Sequence, residues 1–174
     1  MLFALALCVD WSPSVSAKTE TTLIILKPDA VQRGLMGRIL TRFEDKGFQV
    51  VGCKMMRISR ELAERHYEVH HGKPFYDRLV EFMTSSAVLV MAIRGLGAIE
   101  ICRKMMGYKF GSEAEPGTIR GDFGVSNSFN LIHGSDGPET ARHELELFFE
   151  TGELLEIDRA IEGWVYDLSS GSPE

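Results

Sequence analysis

The segment Asn130 to Asp136 carries the side chains best suited to chemistry. Leu131 and Ile132 are typical of the end of a buried strand, and the small polar residues after Gly134 are typical of a turn and a helix start. His133 is therefore predicted at the rim of a folded core. Because a neutral imidazole nitrogen is nucleophilic at physiological pH, His133 is a candidate phosphate acceptor; the alternative is a buried histidine with satisfied hydrogen bonds.

Positive charge for a phosphate must come from side chains. The sequence contains neither Gly-x-x-x-x-Gly-Lys-Ser/Thr nor Gly-x-Gly-x-x-Gly, so both common backbone cradles for phosphate are missing. Lys27 ends a strand-like run, Arg103 falls in a helical segment, and Arg120 lies in a long loop. Guanidinium groups bind phosphate oxygens in pairs and stay charged at any working pH. Solvation at the surface is the alternative for each of the three cations.

Three segments, in order, are similar to the nucleoside diphosphate kinase family. They are Thr22 to Gly34, Glu115 to Phe123 and Asn130 to Asp136, and the resemblance extends from about Thr21 to Asp167. The resemblance implies an enzyme that transfers the terminal phosphoryl group of a nucleoside triphosphate to a nucleoside diphosphate. The implied cycle is ping-pong, with a phosphohistidine formed at His133.

The resemblance also implies a catalytic set. His133 takes the phosphoryl group on Nδ1 while its other ring nitrogen is held by the main chain, and Ser135 and Glu144 orient the ring. Taken alone, Ser135 is equally well interpreted as a helix cap. Tyr67 matches a tyrosine near the terminal phosphate, and Lys27 matches a lysine that contacts phosphate.

The nucleotide is expected to bind through a second, overlapping set. Arg103 and Arg120 match phosphate contacts, Asn130 matches the residue that binds the ribose 3′-hydroxyl, Phe75 matches the ring that stacks on the base, and Leu79 lines the same side. The full nucleotide-binding set comprises Lys27, Phe75, Leu79, Arg103, Lys109, Arg120 and Asn130. Since stacking does not read base edges, ATP, GDP and other nucleoside di- and triphosphates are all expected as substrates.

This sequence departs from the family pattern at four positions. Lys109 stands where many members have a threonine that contacts phosphate, and Gly111 stands where they have a proline in a loop used for subunit contacts. Asn127 and Ser128 replace residues that are often Val and Gly near the base. We therefore expect altered phosphate contact at Lys109 and a modest shift in nucleotide preference.

No protein-held metal ion is predicted. His66 and His70 are four residues apart and would share a helical face, yet a third ligand is missing from the pattern, so a polar helix face containing His66, His70 and His71 is preferred. The resemblance implies Mg²⁺ that arrives on the nucleotide phosphates and is held largely by substrate and water.

The hydrophobic pattern predicts an α+β fold. Strands are predicted at 21–26, 48–57, 87–93 and up to His133, and helices at 31–46, 59–69, 75–83, 97–106 and from the Pro138 region to Phe149. The order β-α-β-α-β-α-β is typical of a ferredoxin-like sandwich, with a four-stranded antiparallel sheet, helices covering one face and a long nucleotide loop at 107–128. The family has this fold.

Composition limits the class of protein and its partners. The chain has 174 residues and a net charge of −6, which fits one domain and gives no broad attraction to nucleic acid or anionic membrane. Its three cysteines form no Cys-x-x-Cys pair, so a reducing compartment, the cytoplasm, is expected. No run approaches the ~20 apolar residues of a membrane span.

The kinase domain is expected at 21–167, between an N-terminal extension at 1–20 and a flexible tail at 168–174. The extension is interpreted as disordered, as a misassigned start, or as a cleaved signal segment, and the sequence does not separate these alternatives. Because the ending Trp164 to Asp167 resembles that of hexameric family members, a homo-oligomer is expected, a hexamer rather than a tetramer.

Two other classes of function remain open at this stage. A nucleotide-binding or interaction module with the same fold would keep the histidine without turnover, since fold alone does not grant activity. The joint presence of His133, Ser135 and Glu144 favours the enzyme. A nucleic-acid binder is disfavoured because the sequence has a negative net charge and no basic stripe.

Overall fold

The computed structural model describes residues 19–169. The strands are β1 (Thr19–Leu26), β2 (Gln49–Met56), β3 (Val88–Leu96) and β4 (Ile132–Gly134). The helices are α1 (Pro28–Gln32), α2 (Met36–Asp45), α3 (Arg60–His66), α4 (Tyr76–Thr84), α5 (Ala98–Met106), α6 (Ile119–Phe123), α7 (Pro138–Phe148) and α8 (Glu162–Val165). Short 3₁₀ turns lie at Glu68–His70 and Gly111–Glu113.

The four strands form one antiparallel sheet in the order β2-β3-β1-β4. This order confirms the predicted ferredoxin-like sheet. β1 pairs with β3 along its whole length, from Thr19 opposite Leu96 to Leu26 opposite Leu89. On its other side β1 pairs with the short edge strand β4, where His133 lies opposite Ile25. The inner strand β1 therefore fixes the position of His133.

Helices cover both faces of the sheet, so the prediction of a single covered face is wrong. Successive residues of β1 point to opposite faces, and from Thr22 to Leu26 the residues on both faces are fully buried. Ile24 and Leu26 pack with the cluster that contains residues of α2, α5 and α6, whereas Leu23 and Ile25 pack with the cluster that contains residues of α3, α4 and α7. Burial on both faces explains why β1 has a continuous apolar run instead of alternation.

The predicted helix at 31–46 is divided into α1 and α2. Gly34 lies between them with φ of +66°, a conformation that interrupts a helix and that glycine adopts without strain. The end of α2 matches the prediction, because Gly47 has φ of +95° and its N–H donates to the carbonyl of Glu44.

The long loop at 107–128 contains more order than its sequence indicated. α6 begins after Thr118, whose hydroxyl accepts a hydrogen bond from the Gly121 N–H. Gly111 and Gly124 are in close contact, and a Cβ atom at Gly111 would lie 2.6 Å from the Gly124 carbonyl oxygen. Glycine at 111 thus allows two parts of the loop to cross closely, which the proline common in the family would obstruct.

The two ends of the chain stay predictions. Residues 1–18 and 170–174 lie outside the described residues, and with them most of the expected extension and tail. Among residues 19–169, none of the helices combines the length and apolar character that a bilayer crossing requires.

Candidate active site

A cleft of about 1160 Å³ opens between α4, the loop at 107–130 and the edge strand β4. It gathers side chains from parts of the chain far apart in sequence, as the predicted site requires. Of the predicted site residues, those lining the cleft are Lys27, Tyr67, Phe75, Leu79, Arg103, Lys109, Arg120, Asn130, His133 and Glu144. Ser135 lies behind this surface and is fully buried.

Hydrogen bonds through two side chains, Glu144 and Ser135, hold the imidazole of His133. Glu144 Oε1 lies 2.8 Å from His133 Nε2, and Ser135 Oγ donates to Glu144 Oε2 at 2.5 Å. Ser135 Oγ itself accepts from the Leu23 N–H of the central strand. The expectation that the main chain holds the second ring nitrogen is therefore wrong, because the Glu144 carboxylate does so. The capping interpretation of Ser135 is also excluded, since the N-cap of α7 is Gly137.

The carboxylate partner determines which ring nitrogen carries the proton. Burial alone would raise the pKa of Glu144, but the hydrogen bonds from His133 and Ser135 hold that pKa below its ordinary value. An ionised carboxylate only accepts hydrogen bonds, so Nε2 of His133 is the donor. The neutral ring then has its free lone pair on Nδ1, the nitrogen available for attack on phosphorus.

His66 lies directly beneath His133, a position that the sequence analysis did not predict. Its side chain is only 1% exposed, so its assignment to a polar helix face is wrong. The ring packs edge-on against His133 at 4.6 Å and against Phe148 at 5.1 Å, and neither nitrogen has a hydrogen-bond partner among the described residues. Burial and the neighbouring His133 lower the pKa of His66 to about 3, so the ring stays neutral.

Among the described residues, the side chains around His133 are the ones that could together bind a metal ion. Nitrogen and oxygen atoms of His66, His133 and Glu144 all lie within 4.8 Å of one another. However, His133 and Glu144 already contact each other directly at 2.8 Å, and the carboxylate also binds Ser135. These hydrogen bonds are therefore sufficient to orient the His133 ring, and a metal ion is not required for it.

The buried neutral state of His66 makes stability depend on pH. Its pKa is 6.5 in an unfolded chain and about 3 in the fold, so below pH 6.5 only the unfolded chain takes up this proton. We expect the free energy of unfolding to fall by about 2 kcal/mol between pH 7 and pH 5 from this group. Urea denaturation of the wild type and His66→Gln at both pH values measures it; equal losses in the two proteins would contradict the prediction.

Lys27 and Asn130 are joined at the floor of the cleft. Lys27 is 8% exposed, and its Nζ donates to Asn130 Oδ1 at 2.7 Å. Burial lowers the pKa of Lys27 to about 8, and the charge of Arg120 acts in the same direction. The Asn130 side-chain NH₂ donates to the carbonyl of Lys109. Both ends of the amide are therefore held before any ligand binds.

The bend after Asn130 is strained. Leu131 has φ of +68°, which a non-glycine residue rarely adopts, although its side chain is fully buried in the core. Its N–H donates to Asp29 Oδ2 and its carbonyl accepts from the Lys27 N–H. These contacts around Leu131 turn the chain so that Asn130 and His133 both line the cleft.

The two arginines are held by main-chain carbonyls in different ways. Arg120 is 8% exposed and donates to the carbonyls of Asn130, Gly107 and Ile132. Arg103 is exposed and makes one such bond, to Gly134. Burial lowers the pKa of Arg120 to about 10, aided by the charge of Arg103, so the guanidinium remains charged near neutral pH. The guanidinium of Arg120 is thus fixed in orientation.

The remaining predicted residues complete the lining of the cleft. Tyr67 is buried, its hydroxyl has no hydrogen-bond partner among the described residues, and burial raises its pKa above the ordinary value. Phe75 is 44% exposed at the start of α4, and Leu79 lies one turn later on the same helix. Lys109 extends over the Phe110 ring at 4.8 Å. The site therefore has a polar floor around His133 and an apolar outer wall.

The fold and the site together indicate a protein that transfers phosphoryl groups. An imidazole with a free Nδ1, held by a buried carboxylate and surrounded by three cations, has the groups that attack phosphorus and neutralise phosphate oxygens. The sequence profile of the nucleoside diphosphate kinase family matches residues 20–154 of this chain.

Individual proteins give the same result. The nucleoside diphosphate kinases of Thermomicrobium roseum and Desulforamulus reducens are 54% identical over 146 residues and 51% identical over 148 residues, covering 84% and 85% of this chain and 98% and 99% of those proteins. Among solved structures, a halophilic nucleoside diphosphate kinase from Halobacterium salinarum in complex with CDP is 48% identical with a TM-score of 0.83, covering 85% of this chain and 99% of that one.

A second solved structure represents a reacting state. It is a transition-state mimic of the nucleoside-diphosphate kinase from Borrelia burgdorferi with bound vanadate and ADP, 34% identical with a TM-score of 0.80, covering 84% of this chain and 96% of that one. The chain belongs to the nucleoside diphosphate kinase family. Its activity is that of a transferase that moves phosphoryl groups between nucleotides, which confirms the function predicted from the motifs.

Proposed function

We propose that the chain exchanges the terminal phosphoryl group between nucleotides through a phosphohistidine at His133. In the first half, the lone pair of Nδ1 attacks the γ-phosphorus of a nucleoside triphosphate, the bond to the bridging oxygen breaks, and the diphosphate leaves. In the second half, the terminal oxygen of another diphosphate attacks the phosphohistidine and the P–N bond breaks. The observation that carries this proposal is the Glu144 contact with Nε2, which keeps Nδ1 free.

The groups around His133 support the same reaction. Phosphoryl transfer disperses negative charge over equatorial oxygens, and Lys27, Arg103 and Arg120 line the cleft where this charge would develop. Within residues 19–169 the buried Tyr67 hydroxyl has no hydrogen-bond partner, and a terminal phosphate oxygen would supply one. The Asn130 amide, already bonded to Lys27, would bind the ribose 3′-hydroxyl beside the phosphates.

Mg²⁺ would enter with the nucleotide as part of the substrate. The cleft fits such a complex, because its cations offer contacts to phosphate oxygens and the exposed Asp136 at its rim can bind a metal-bound water. Bound on the phosphates, Mg²⁺ supplies additional charge neutralisation.

The base would stack on Phe75 beside Leu79, a contact that does not distinguish purines from pyrimidines. One of the departures from the family pattern, Asn127, lines the cleft and is held in place, because Ser112 Oγ donates to its Oδ1 at 2.8 Å. Lys109 lines the cleft and provides a charge where relatives offer a threonine hydroxyl. We therefore propose ATP, GDP and other nucleoside di- and triphosphates as substrates, with Lys109 as an additional phosphate contact.

For assembly and location we propose a cytoplasmic homo-hexamer. The resemblance of the Trp164 to Asp167 ending to hexameric members supports the assembly, and Trp164 is 90% exposed in the single chain. Cys53 and Cys102 are both free thiols, as expected in a reducing compartment. Light scattering that gives the mass of a dimer or tetramer would contradict the hexamer.

Intact-mass spectrometry tests the catalytic proposal. After mixing with ATP and Mg²⁺ at neutral pH, we expect a gain of one phosphate, about 80 Da, on the protein. The adduct should be lost on acid treatment, and GDP should remove it with formation of GTP. ATP binding without an acid-labile adduct would instead support the non-catalytic nucleotide-binding module.

The pKa of Lys27 predicts a loss of activity at alkaline pH. With a pKa of about 8, Lys27 loses its charge as the pH rises above that value, and its attraction for phosphate is lost with it. We expect kcat/KM for ATP to fall about tenfold per pH unit above pH 8. Lys27→Arg keeps its charge and should remove this decline; a wild-type profile that stays flat to about pH 9.5 would contradict the prediction.

A further inference from the structure

We propose that Phe129 and Phe82 form an aromatic clamp that joins the two walls of the cleft at its outer end and sets the affinity for nucleotide. The two ring centroids are 4.9 Å apart with planes inclined at 48°. This inference rests on the proposed function, because it assigns residues that hold the nucleotide-binding cleft in shape. Neither residue was a sequence-based candidate.

The first wall is one face of α4. Phe75, Leu79 and Phe82 are spaced four and three residues apart, so they lie on the same side of the helix, and all three line the cleft. The proposed base contacts, Phe75 and Leu79, occupy the first turns of this face. Phe82 therefore lies beyond the base, about two turns from Phe75.

The second wall is the segment 126–130, which is fixed by hydrogen bonds of its own and by one to Ser112. Ser126 Oγ accepts from the N–H groups of Ser128 and Phe129, and the Asn127 side chain is bonded to Ser112. Asn127 and Ser128 carry polar side chains and are exposed. The Phe129 ring is thus the aromatic group through which this segment reaches α4.

The exposure of Phe129 shows that its ring is not part of the core. It is 53% exposed and belongs to neither buried cluster, yet it packs on Phe82 across the cleft. An aromatic pair of this geometry shifts an equilibrium roughly 2- to 10-fold beyond the area it buries. The aromatic contact therefore stabilises the arrangement in which the two walls of the cleft touch each other.

The clamp also connects the outer end of the cleft to its polar floor. Phe129 immediately precedes Asn130, whose amide is bonded to Lys27 and to the Lys109 carbonyl. Holding Phe129 against α4 restrains the chain that delivers this amide. His133 is instead held by Glu144 and by pairing with β1, independently of the clamp. Loss of the clamp should therefore weaken nucleotide binding much more than it slows chemistry at His133.

The test is a double-mutant cycle on the full chain with ADP as the probe. We expect Phe129→Ala and Phe82→Ala each to raise the Kd for ADP about 5- to 10-fold, and the double variant to be no weaker than the weaker single variant. KM for ATP should rise by the same factor with kcat changed less than about twofold. Phe129→Tyr keeps an aromatic ring at this position, so its Kd for ADP should equal that of the wild type.

Val125→Ala is the matched control. Val125 is apolar, 85% exposed and four residues from Phe129, but it does not line the cleft, so its Kd for ADP should equal that of the wild type. Unchanged affinity in Phe129→Ala, or additive losses in the double variant, would overturn the clamp. Failure of the wild type to take up phosphate from ATP would refute the proposed function instead, while ADP binding would still test the clamp.

Discussion

Replacing His133 with glutamine should lower the rate of phosphoryl exchange by at least ~10⁴-fold. Glutamine approximates the size of the ring and can donate a hydrogen bond to Glu144, but it has no nucleophilic nitrogen to replace Nδ1. The proposed phosphate-binding cations are unchanged, so we expect the Kd for ADP to remain within about threefold of the wild type. Coupled measurement of GTP formation from ATP and GDP, together with ADP titration, determines both quantities.

His71→Gln is the control for this experiment. His71 is exposed and outside the cleft, so the same change of residue type there should leave exchange at the wild-type rate. Retained exchange in His133→Gln would rule out the phosphohistidine cycle. A loss of ADP binding in that variant would mean that His133 also contributes to nucleotide affinity.

Arg120→Met should reduce both activity and stability. The wild-type guanidinium donates to three main-chain carbonyls, of Asn130, Gly107 and Ile132, and methionine satisfies none of them. Leaving buried carbonyls without donors lowers the free energy of unfolding by about 3 to 5 kcal/mol. We expect kcat/KM to fall about 10³-fold as well, because the proposed phosphate contact is lost and the strand containing His133 loses a support.

Two further variants separate the expected loss of stability from the expected loss of activity. Arg103→Met removes a cation that makes one carbonyl contact and is exposed, so it should lower kcat/KM while changing stability by less than about 1 kcal/mol. Arg120→Lys keeps the charge but not the planar fork, so it should remain destabilised. A urea midpoint for Arg120→Met equal to that of the wild type would contradict the prediction.

The sequence predicted the elements whose residues have one dominant requirement. β1 is buried on both faces, so its apolar run from Leu23 to Leu26 identified it without ambiguity. Gly47 ends α2 for a local reason that its residue type reveals. The motif around His133 likewise predicted a rim position, because apolar residues precede the histidine and turn residues follow it.

Features that depend on the tertiary fold were not predictable in this way. His66 looks polar in the sequence, and only the packing of α3 against α7 buries it under His133. Similarly, the hydrogen bond from His133 Nε2 to Glu144 joins an edge strand to a helix, and nothing in residue spacing distinguishes this carboxylate from a main-chain carbonyl. The close crossing of Gly111 and Gly124 depends on how the long loop folds back, which has no sequence period.

The positive φ angle of Leu131 has a consequence for evolution of this enzyme. A glycine at this position would relieve the backbone strain, yet it would remove a fully buried side chain from the core. The lost packing would lower the free energy of unfolding by more than the relieved strain would raise it. The free energy that folds the protein therefore also keeps Asn130 at the lining of the cleft. Mutations that loosen the core near Leu131 should erode catalysis before they prevent folding, so that activity and thermal resistance at this site are selected together.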